Sequence, residues 1–263
     1  MPEGDTIWRQ ARELSNALAG EELTICDLRV PAHATVDLRG RVVNAVRSRG
    51  KHILMDIDAD IVLHTTLGMD GTWWIGAHGD KRRGSPAFQI RAVLATANRI
   101  AVGYRLPHVD VIRSSGEQHL LGHLGPDILG DDCDPANAIR RIKRAPNVEI
   151  ADALLDQRNL AGIGNVYKSE LCFIARVHPA ELVANTNDDQ LTRIVTEAHR
   201  LLVENKQRWK RVTTGDPRRP LWVYSRAGQP CRRCAAVIKS AQQGSGTTQR
   251  FTWWCPSCQG QHE

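Results

Sequence analysis

The stretch from residue 41 to residue 67 reads RVVNAVRSRGKHILMDIDADIVLHTTL, and it sets the architecture expected of the N-terminal half. Short runs rich in β-branched residues are separated by glycine and aspartate turns, which favours antiparallel strands joined by hairpins. Runs of the same kind occur on both sides of this stretch. The predicted strands cover residues 23–30, 41–48, 52–57, 61–67, 72–75, 87–95, 99–104 and 109–113.

A helix precedes these strands. Apolar residues recur at helical spacing between residues 5 and 19, Asp5 or Thr6 can cap the start, and Gly20 supplies a stop. The pattern predicts a two-layer antiparallel β-sandwich with the N-terminal helix packed beside it.

The C-terminal half has a different pattern. Glycine, proline, serine and aspartate crowd residues 114–136, which predicts a turn-rich connection between two domains. Beyond it the apolar residues recur with a helical period. Helices are predicted over residues 135–144, 149–156, 165–175 and 188–204, so the fold class is α+β.

Composition narrows the functional classes. The chain has 263 residues, a net charge of +6 and a pI near 9.1, which favours a polyanionic partner. Its apolar runs are too short to span a membrane, and no signal peptide is evident. Seven cysteines, an odd number, fit a reducing compartment, so we expect a cytoplasmic protein. Cys26, Cys133 and Cys172 are scattered and are expected to be packing residues.

The strongest local motif is a pair of CxxC sequences separated by twenty residues. Two such pairs on the arms of a hairpin supply four thiolates in a tetrahedron, the closed ligand set of one structural zinc ion. Two redox pairs are the alternative, which this spacing disfavours. The predicted ligands are Cys231, Cys234, Cys255 and Cys258.

The N-terminus carries a reactive pair. Once Met1 is removed, Pro2 presents a secondary amine, and such α-amines titrate near pH ~7.7–8.0, so a useful fraction is nucleophilic. Glu3 can move a proton at the same centre. An ordinary helix leader is the alternative, because proline and acidic residues are common in a first helical turn.

Two glycine-containing turns and a basic segment suit phosphate binding. Gly162 and Gly164 precede Asn165, so free backbone N–H groups and the asparagine can hold a phosphate, although simple helix hairpins also use Gly-x-Gly. The turn at Gly50-Lys51 projects a lysine from a hairpin. Residues 206–226 mix seven cations with three aromatic residues, which suits either DNA contact or a solvated loop.

These motifs occur together, in one order, in a known family. The sequence resembles the formamidopyrimidine-DNA glycosylase/endonuclease VIII enzymes of base excision repair over essentially its whole length, and leans towards the endonuclease VIII branch. The matching segments are Pro2-Glu3-Gly4, Gly50-Lys51-His52, Leu124-Gly125-Pro126-Asp127, Gly162-Ile163-Gly164-Asn165-x-Tyr167, Val223–Cys231 and the zinc finger that bears Arg250.

The resemblance implies a bifunctional DNA glycosylase and abasic-site lyase. In it, Pro2 attacks the sugar carbon of a damaged nucleotide, Glu3 donates a proton, and successive β- and δ-elimination cut the strand. Lys51, Asn165 and Arg250 match the residues that grip the phosphates around the lesion, and Lys51 and Arg250 also belong to the catalytic set.

The resemblance also implies a domain order and a partner. It predicts a catalytic sandwich at 1–122, a linker at 123–134, a helix–two-turns–helix DNA-binding domain at 135–224 and a zinc finger at 225–263. The partner is damaged double-stranded DNA, with single-stranded or bubble DNA as an alternative, bound by a monomer with no membrane contact.

Three positions bear on the substrate and on alternatives. The family often has a glutamate at position 6, where this chain has Thr6. Met69 falls where the family inserts an apolar wedge into the duplex, and a core residue is the alternative. Residues 105–108 lack the Arg-Phe pair of the formamidopyrimidine branch, which favours oxidised pyrimidines as substrates.

A non-catalytic zinc protein that binds DNA or RNA is the competing function, but such a binder has no need of Pro2 beside Glu3.

Overall fold

The computed structural model describes residues 2–80, 86–131, 133–244 and 249–260. The chain separates into two compact units, residues 1–123 and 124–263. The first is an antiparallel β structure with an N-terminal helix and the second is mainly helical, so the predicted α+β class is confirmed. The finer division at 122, 134 and 224 stays a prediction.

The described part of the first unit contains one long helix, α1, and eight strands in two four-stranded antiparallel sheets. One sheet has the order β1-β6-β7-β5 and the other β2-β3-β4-β8. The bounds are Gly4–Leu18 for α1, then Ile25–Leu28, Val43–Arg49, His52–Ile57, Ile61–Thr66, Thr72–Ala77, Ile90–Ala95, Arg99–Tyr104 and His108–Arg113 for β1 to β8.

Both sheets and α1 contribute to one apolar core. From α1, Ile7, Leu14 and Leu18 are almost completely buried, and Ile53 and Met55 of β3 enter the same cluster. Each such side chain contributes about 1.5–3 kcal/mol by leaving water. The helical spacing on α1 and the alternation on β3 therefore explain why these segments adopt the predicted elements.

One element in the first unit was missed by the sequence prediction. The segment expected to be only turns holds a short helix, α2, at Glu117–Leu121. Its five residues are too few to show a helical period, yet Leu121 is buried and Glu117 accepts hydrogen bonds from Arg47 at 2.6 and 2.8 Å. Tertiary contacts outweigh the weak local signal here.

The second unit contains four longer helices and a hairpin. The helices are α3 at Pro135–Lys143, α4 at Ile150–Leu155, α5 at Asn165–Ala175 and α6 at Asp188–Asn205, close to their predicted bounds. The start of α6 has a reciprocal capping box between Asn187 and Gln190.

The hairpin consists of β9 at Lys239–Gln243 and β10 at Arg250–Trp254, and it is followed by the short helix α7 at Pro256–Gln259. Every residue of α5 is buried, and Cys231, Ile238 and Cys255 enter the same apolar core as the helices. Among the described residues, no helix combines the length and apolar character needed to cross a bilayer.

Candidate active site and metal centre

The reactive pair lies immediately ahead of α1. Glu3 is fully buried, and its extended backbone accepts the first helical hydrogen bonds, from the N–H groups of Thr6 at 2.9 Å and Ile7 at 3.0 Å. Asp5 accepts from the Thr6 backbone N–H at 2.7 Å and from its hydroxyl at 3.2 Å. Pro2 is therefore joined to a helix start that is fixed by its own hydrogen bonds, whereas Met1 falls outside the described residues.

Lys51 occupies a two-residue hairpin turn. Arg49 pairs with His52, so only Gly50 and Lys51 connect β2 to β3. Gly50 has a φ of +57° and is buried, and that left-handed conformation favours glycine. Strand register and one glycine thus fix the direction in which the chain presents Lys51.

Met69 lies in the tight connection between β4 and β5. Gly68 has a φ of +55°, and the Gly71 N–H donates to the Leu67 carbonyl at 2.7 Å. The Met69 side chain is 60% exposed, so the core-residue alternative is wrong. The connection presents an apolar side chain at its tip.

Asn165 and Arg250 lie on elements that contact each other. Asn165 is the first residue of α5, is 6% exposed, and donates through Nδ2 to the Phe251 carbonyl at 2.9 Å. Its Oδ1 is buried and has no hydrogen-bond partner in the described chain. Arg250, the preceding residue on β10, is exposed and donates to the Gln249 carbonyl at 2.7 Å.

A buried lysine adds a second tie between α5 and β10. Lys168 is 1% exposed and its Nζ donates to Thr252 Oγ1 at 2.5 Å. Together with the bond from Asn165 to Phe251, it joins the first turn of α5 to consecutive residues of β10. Lys168 was not among the predicted site residues, although it lies in a helix rich in apolar residues.

Glu170 is a further buried charge that the sequence analysis missed. It is completely buried, and its carboxylate accepts the backbone N–H groups of three consecutive residues, Trp222, Val223 and Tyr224, at 2.7–2.8 Å. It also accepts the Thr213 hydroxyl. One carboxylate therefore ties together both ends of the segment from 213 to 224.

The basic segment 206–226 divides into exposed and structural residues. Trp209 is 83% exposed, whereas the Trp222 ring stacks on Phe173 with 5.3 Å between centroids. Arg226 is 9% exposed and donates to the Trp222 and Pro230 carbonyls, so it is a structural cation. Fewer side chains of this segment face solvent than its composition suggested.

The four predicted metal ligands form one cluster. Their sulfur atoms all lie within 4.8 Å of one another, and three of the separations are 3.4, 3.4 and 3.9 Å. A tetrahedral zinc ion with Zn–S bonds of about 2.3 Å places its sulfurs about 3.8 Å apart, so the donor set and its spacing fit zinc. The cluster can hold a metal ion. Its members are Cys231, Cys234, Cys255 and Cys258.

The other cysteines lie elsewhere. Cys172 is fully buried, and burial raises the pKa of its thiol to about 12, which makes it an unreactive packing residue. Cys26 and Cys133 are half-buried.

The predicted site residues divide between the two units. The first unit holds Pro2, Glu3, Lys51 and Met69, and the second holds Asn165, Arg250 and the cysteine cluster. Within the second unit, the cysteines are brought together and Asn165 is bonded to the residue that follows Arg250.

Two family models match the chain. The formamidopyrimidine-DNA glycosylase N-terminal domain matches residues 1–105, and the formamidopyrimidine-DNA glycosylase H2TH domain matches residues 124–214. The first match contains α1 and β1 to β7, and the second contains α3 to α6.

Curated relatives match over nearly the full length. A Streptomyces coelicolor protein named "Probable endonuclease 8 2" is 51% identical, over 98% of this chain and 94% of the relative. The Mycolicibacterium smegmatis "DNA-(apurinic or apyrimidinic site) lyase Nei2" is 44% identical, over 98% of this chain and 99% of the relative.

Solved structures show the same fold. A Lactococcus lactis formamidopyrimidine-DNA glycosylase bound to DNA containing an abasic site superposes with a TM-score of 0.84, at 21% identity, over 98% of this chain and 100% of that chain. The fold, the matched domains and the near full-length relatives agree with one another. The chain therefore belongs to the formamidopyrimidine-DNA glycosylase/endonuclease VIII family, within its endonuclease VIII branch.

Proposed function

We propose that this chain is a bifunctional DNA glycosylase and abasic-site lyase of base excision repair that removes oxidised pyrimidines. The observation that carries the proposal is the reactive pair, Pro2 beside a buried Glu3, at the start of a chain whose full-length relatives are named endonuclease 8 and abasic-site lyase. The pyrimidine preference is supported by the absence of an Arg-Phe pair at residues 105–108.

The chemistry begins at the free amine of Pro2. Its nitrogen bonds to the C1′ carbon as the bond from C1′ to the damaged base breaks, and the bond from C1′ to the ring oxygen then opens. Glu3 donates a proton to the departing base or to the ring oxygen, and the proton lost by the Pro2 nitrogen goes to the other of the two. The product is a ring-opened iminium with its positive charge on the Pro2 nitrogen. The nucleotide must leave the base stack first, because its sugar carbon is hidden in the duplex.

The iminium then serves as an electron sink for strand cleavage. Loss of a C2′ proton expels the 3′ phosphate in β-elimination, and a further proton loss expels the 5′ phosphate in δ-elimination. Negative charge develops on each leaving phosphate, so cations held nearby accelerate both steps. Lys51 and Arg250 fill that role in the proposal, with Asn165 as a neutral phosphate contact.

Met69 and the cysteine cluster have supporting roles. Met69 is exposed on a tight turn and is apolar and flexible, which suits a wedge that fills the stack vacated by the nucleotide. One zinc ion bound by the four cysteines stabilises the fold of the hairpin that bears Arg250 and takes no part in the chemistry. We place this repair activity at the chromosome, in the cytoplasm or, in a bacterium, at the nucleoid.

Borohydride trapping tests the role of Pro2. Reduction of the iminium links protein to abasic-site DNA, so the wild type forms a covalent adduct and Pro2→Gly is expected to lose most of it. Peptide mapping of the wild-type adduct should locate the DNA on Pro2. Equal trapping of the variant through a lysine would overturn the assignment.

A matched control uses one unchanged polypeptide. A cleavable N-terminal extension turns the Pro2 amine into an amide, which cannot attack, and cleavage restores it without altering any other residue. Trapping should appear only after cleavage, with intact-mass spectrometry confirming the new N-terminus. A lyase that is fully active before cleavage would exclude an N-terminal nucleophile. Absence of trapping both before and after cleavage would favour the non-catalytic zinc protein instead.

A further inference from the structure

A hydrogen-bonded histidine chain runs across three strands of the β2-β3-β4-β8 sheet. His52 Nδ1 lies 2.8 Å from His64 Nε2, and His64 Nδ1 lies 3.1 Å from Asp110 Oδ2. The three residues are on β3, β4 and β8 in that order, and we refer to them as the histidine chain. None of them belongs to the reactive pair, the phosphate contacts or the cysteine cluster.

Chemistry fixes the direction of each hydrogen bond in the chain. The Asp110 carboxylate can only accept, so His64 carries its proton on Nδ1. Burial is the main cause of the lowered pKa of His64, and it outweighs the raising effect of Asp110. The His64 ring is therefore neutral. Its Nε2 is then a bare acceptor, and His52 must donate to it from Nδ1.

The same reasoning gives the state of His52. Burial, followed by the charges of His64, His123, His108 and Lys51, lowers the pKa of His52 to about 4. The ring is therefore neutral near pH 7, with a proton on Nδ1 and none on Nε2. This is the less common tautomer of an isolated imidazole, so the chain selects it.

The surroundings of the chain are polar and partly buried. Opposite His52 lie Arg49 on β2 and Thr66 on β4, and Thr66 is opposite His108 on β8. The Thr66 hydroxyl is buried and has no partner in the described part of the protein. His64 is 2% exposed, which limits competition from water for its two hydrogen bonds.

A metal-binding role fits this geometry poorly. Two nitrogen ligands on one tetrahedral zinc, with bonds of about 2.0–2.1 Å, lie about 3.4 Å apart. The nitrogens of His52 and His64 are 2.8 Å apart, which is a hydrogen-bond separation.

The position of His52 gives the chain a function. His52 is the first residue of β3 and follows Lys51 directly, with only Gly50 and Lys51 in the turn. We propose that His64 and Asp110 are positioning residues that hold the His52 ring and, through it, the backbone from which Lys51 reaches a DNA phosphate. The positioning role rests on the proposed function of Lys51, whereas the expected tautomer of His52 does not depend on that function.

Two substitutions at His64 separate its two hydrogen bonds. The amide oxygen of His64→Gln falls near the Nε2 position and keeps an acceptor for His52. The amide of His64→Asn falls near the Nδ1 position and keeps a donor for Asp110 but loses His52. The two variants are similar in polarity and differ in which link of the chain survives.

The first measurement is the tautomer of His52 in the full-length protein with its metal bound. Nitrogen-15 NMR of the imidazole should show a proton on Nδ1 and a bare Nε2 in the wild type and in His64→Gln, and loss of that state in His64→Asn. If His52 of the wild type carries its proton on Nε2, the proposed hydrogen bonds of the histidine chain are wrong, regardless of the activity of the protein on DNA.

The second measurement is affinity for DNA that contains an abasic-site analogue. We expect His64→Asn to weaken binding about tenfold and His64→Gln about twofold or less, in the range of couplings between contacting residues. In a Lys51→Ala background, His64→Asn should cost nothing further, because its effect passes through Lys51. An unchanged penalty in that background would refute positioning of Lys51.

Controls separate folding and function. Circular dichroism and the dispersion of the NMR spectrum identify a variant that fails to fold. Asp110→Ala then replaces it, because it removes the acceptor that fixes the tautomer of His64 and should release that of His52. If the wild type gives no borohydride adduct, the proposed lyase fails while the tautomer result still decides the histidine chain.

Discussion

Lys51 and Asn165 are both candidate phosphate contacts, yet the two units fix them by different means. Lys51 sits on a two-residue turn whose direction follows from strand register and a left-handed glycine. Asn165 is buried at a helix start and is tied to β10 through its own side chain. The backbone of the turn, with the histidine chain beside it, fixes the first contact, whereas a hydrogen bond of the contacting side chain itself fixes the second.

This difference predicts unequal sensitivity. In the first unit, the sandwich core is apolar, and Lys51 and Met69 lie at turns outside it. In the second unit, buried polar groups hold the candidate residues, and an unsatisfied buried group costs about 1–3 kcal/mol or more. Perturbing buried polar groups should therefore damage the second unit far more than the first.

Metal removal should have the largest effect. The apparent free energy of structural zinc binding is about 10–16 kcal/mol in small domains, so chelation should unfold the hairpin formed by β9 and β10. Hydrogen exchange should rise there while β3 and β4 of the first unit stay protected, and DNA binding should be lost. Cys26→Ser, outside the cluster, should retain the metal. A hairpin that stays protected after metal loss would contradict the structural role.

Loss of the Glu170 carboxylate should have the next largest effect. Glu170→Leu leaves three buried N–H groups without an acceptor and should destabilise the protein by about 3–5 kcal/mol, whereas Glu170→Gln keeps one acceptor oxygen and should cost less. Urea unfolding measures the loss, and limited proteolysis should locate it at residues 213–224.

A carboxylate in the first unit provides the matched control. Glu117→Gln breaks a partly exposed ion pair with Arg47, and such pairs contribute about 0.2–1 kcal/mol. Equal destabilisation by Glu170→Gln and Glu117→Gln would remove the contrast between the two units.

A pH change should have a smaller effect than the loss of the Glu170 carboxylate, and it falls on the first unit. Burial lowers the pKa of both His52 and His64, so the native state binds protons less readily than the unfolded chain. The free energy of unfolding is therefore highest above about pH 6.5. It falls as the pH drops towards about 4, by about 1–2 kcal/mol at pH 5. Urea-dependent hydrogen exchange of β3 and β4 at pH 7 and pH 5 measures this loss.

His52→Gln is the control for the pH effect, because it removes the ring with the more strongly lowered pKa. Its stability should change less between pH 7 and pH 5 than that of the wild type. A steeper loss in the variant would show that other groups set the pH dependence of this sheet.

The sequence predicted the elements well where the pattern was long or repeated. The eight strands of the first unit and the helices α1 and α3 to α6 appear close to their expected bounds, because hydrophobic period and glycine turns are local signals. The short helix α2 was missed, since five residues show no period and its stability comes from contacts such as Arg47 with Glu117.

The candidate site was predictable only in part. Cysteine spacing identified the metal cluster, because the ligands are paired in the sequence. By contrast, the backbone N–H groups that donate to Glu170 are more than fifty residues away, at 222–224, and His64 and Asp110 are 46 residues apart. Such long-range polar contacts leave no spacing rule in a single sequence.

The turn at Gly50 has a genetic consequence. A residue with a side chain at a buried position with φ of +57° strains the backbone, and Asn or Asp is tolerated there better than a β-branched residue. A mutation at codon 50 would therefore misdirect Lys51 while leaving the lysine codon intact. In sequence variants of this protein, a change at this glycine should be classed with changes at the lysine itself.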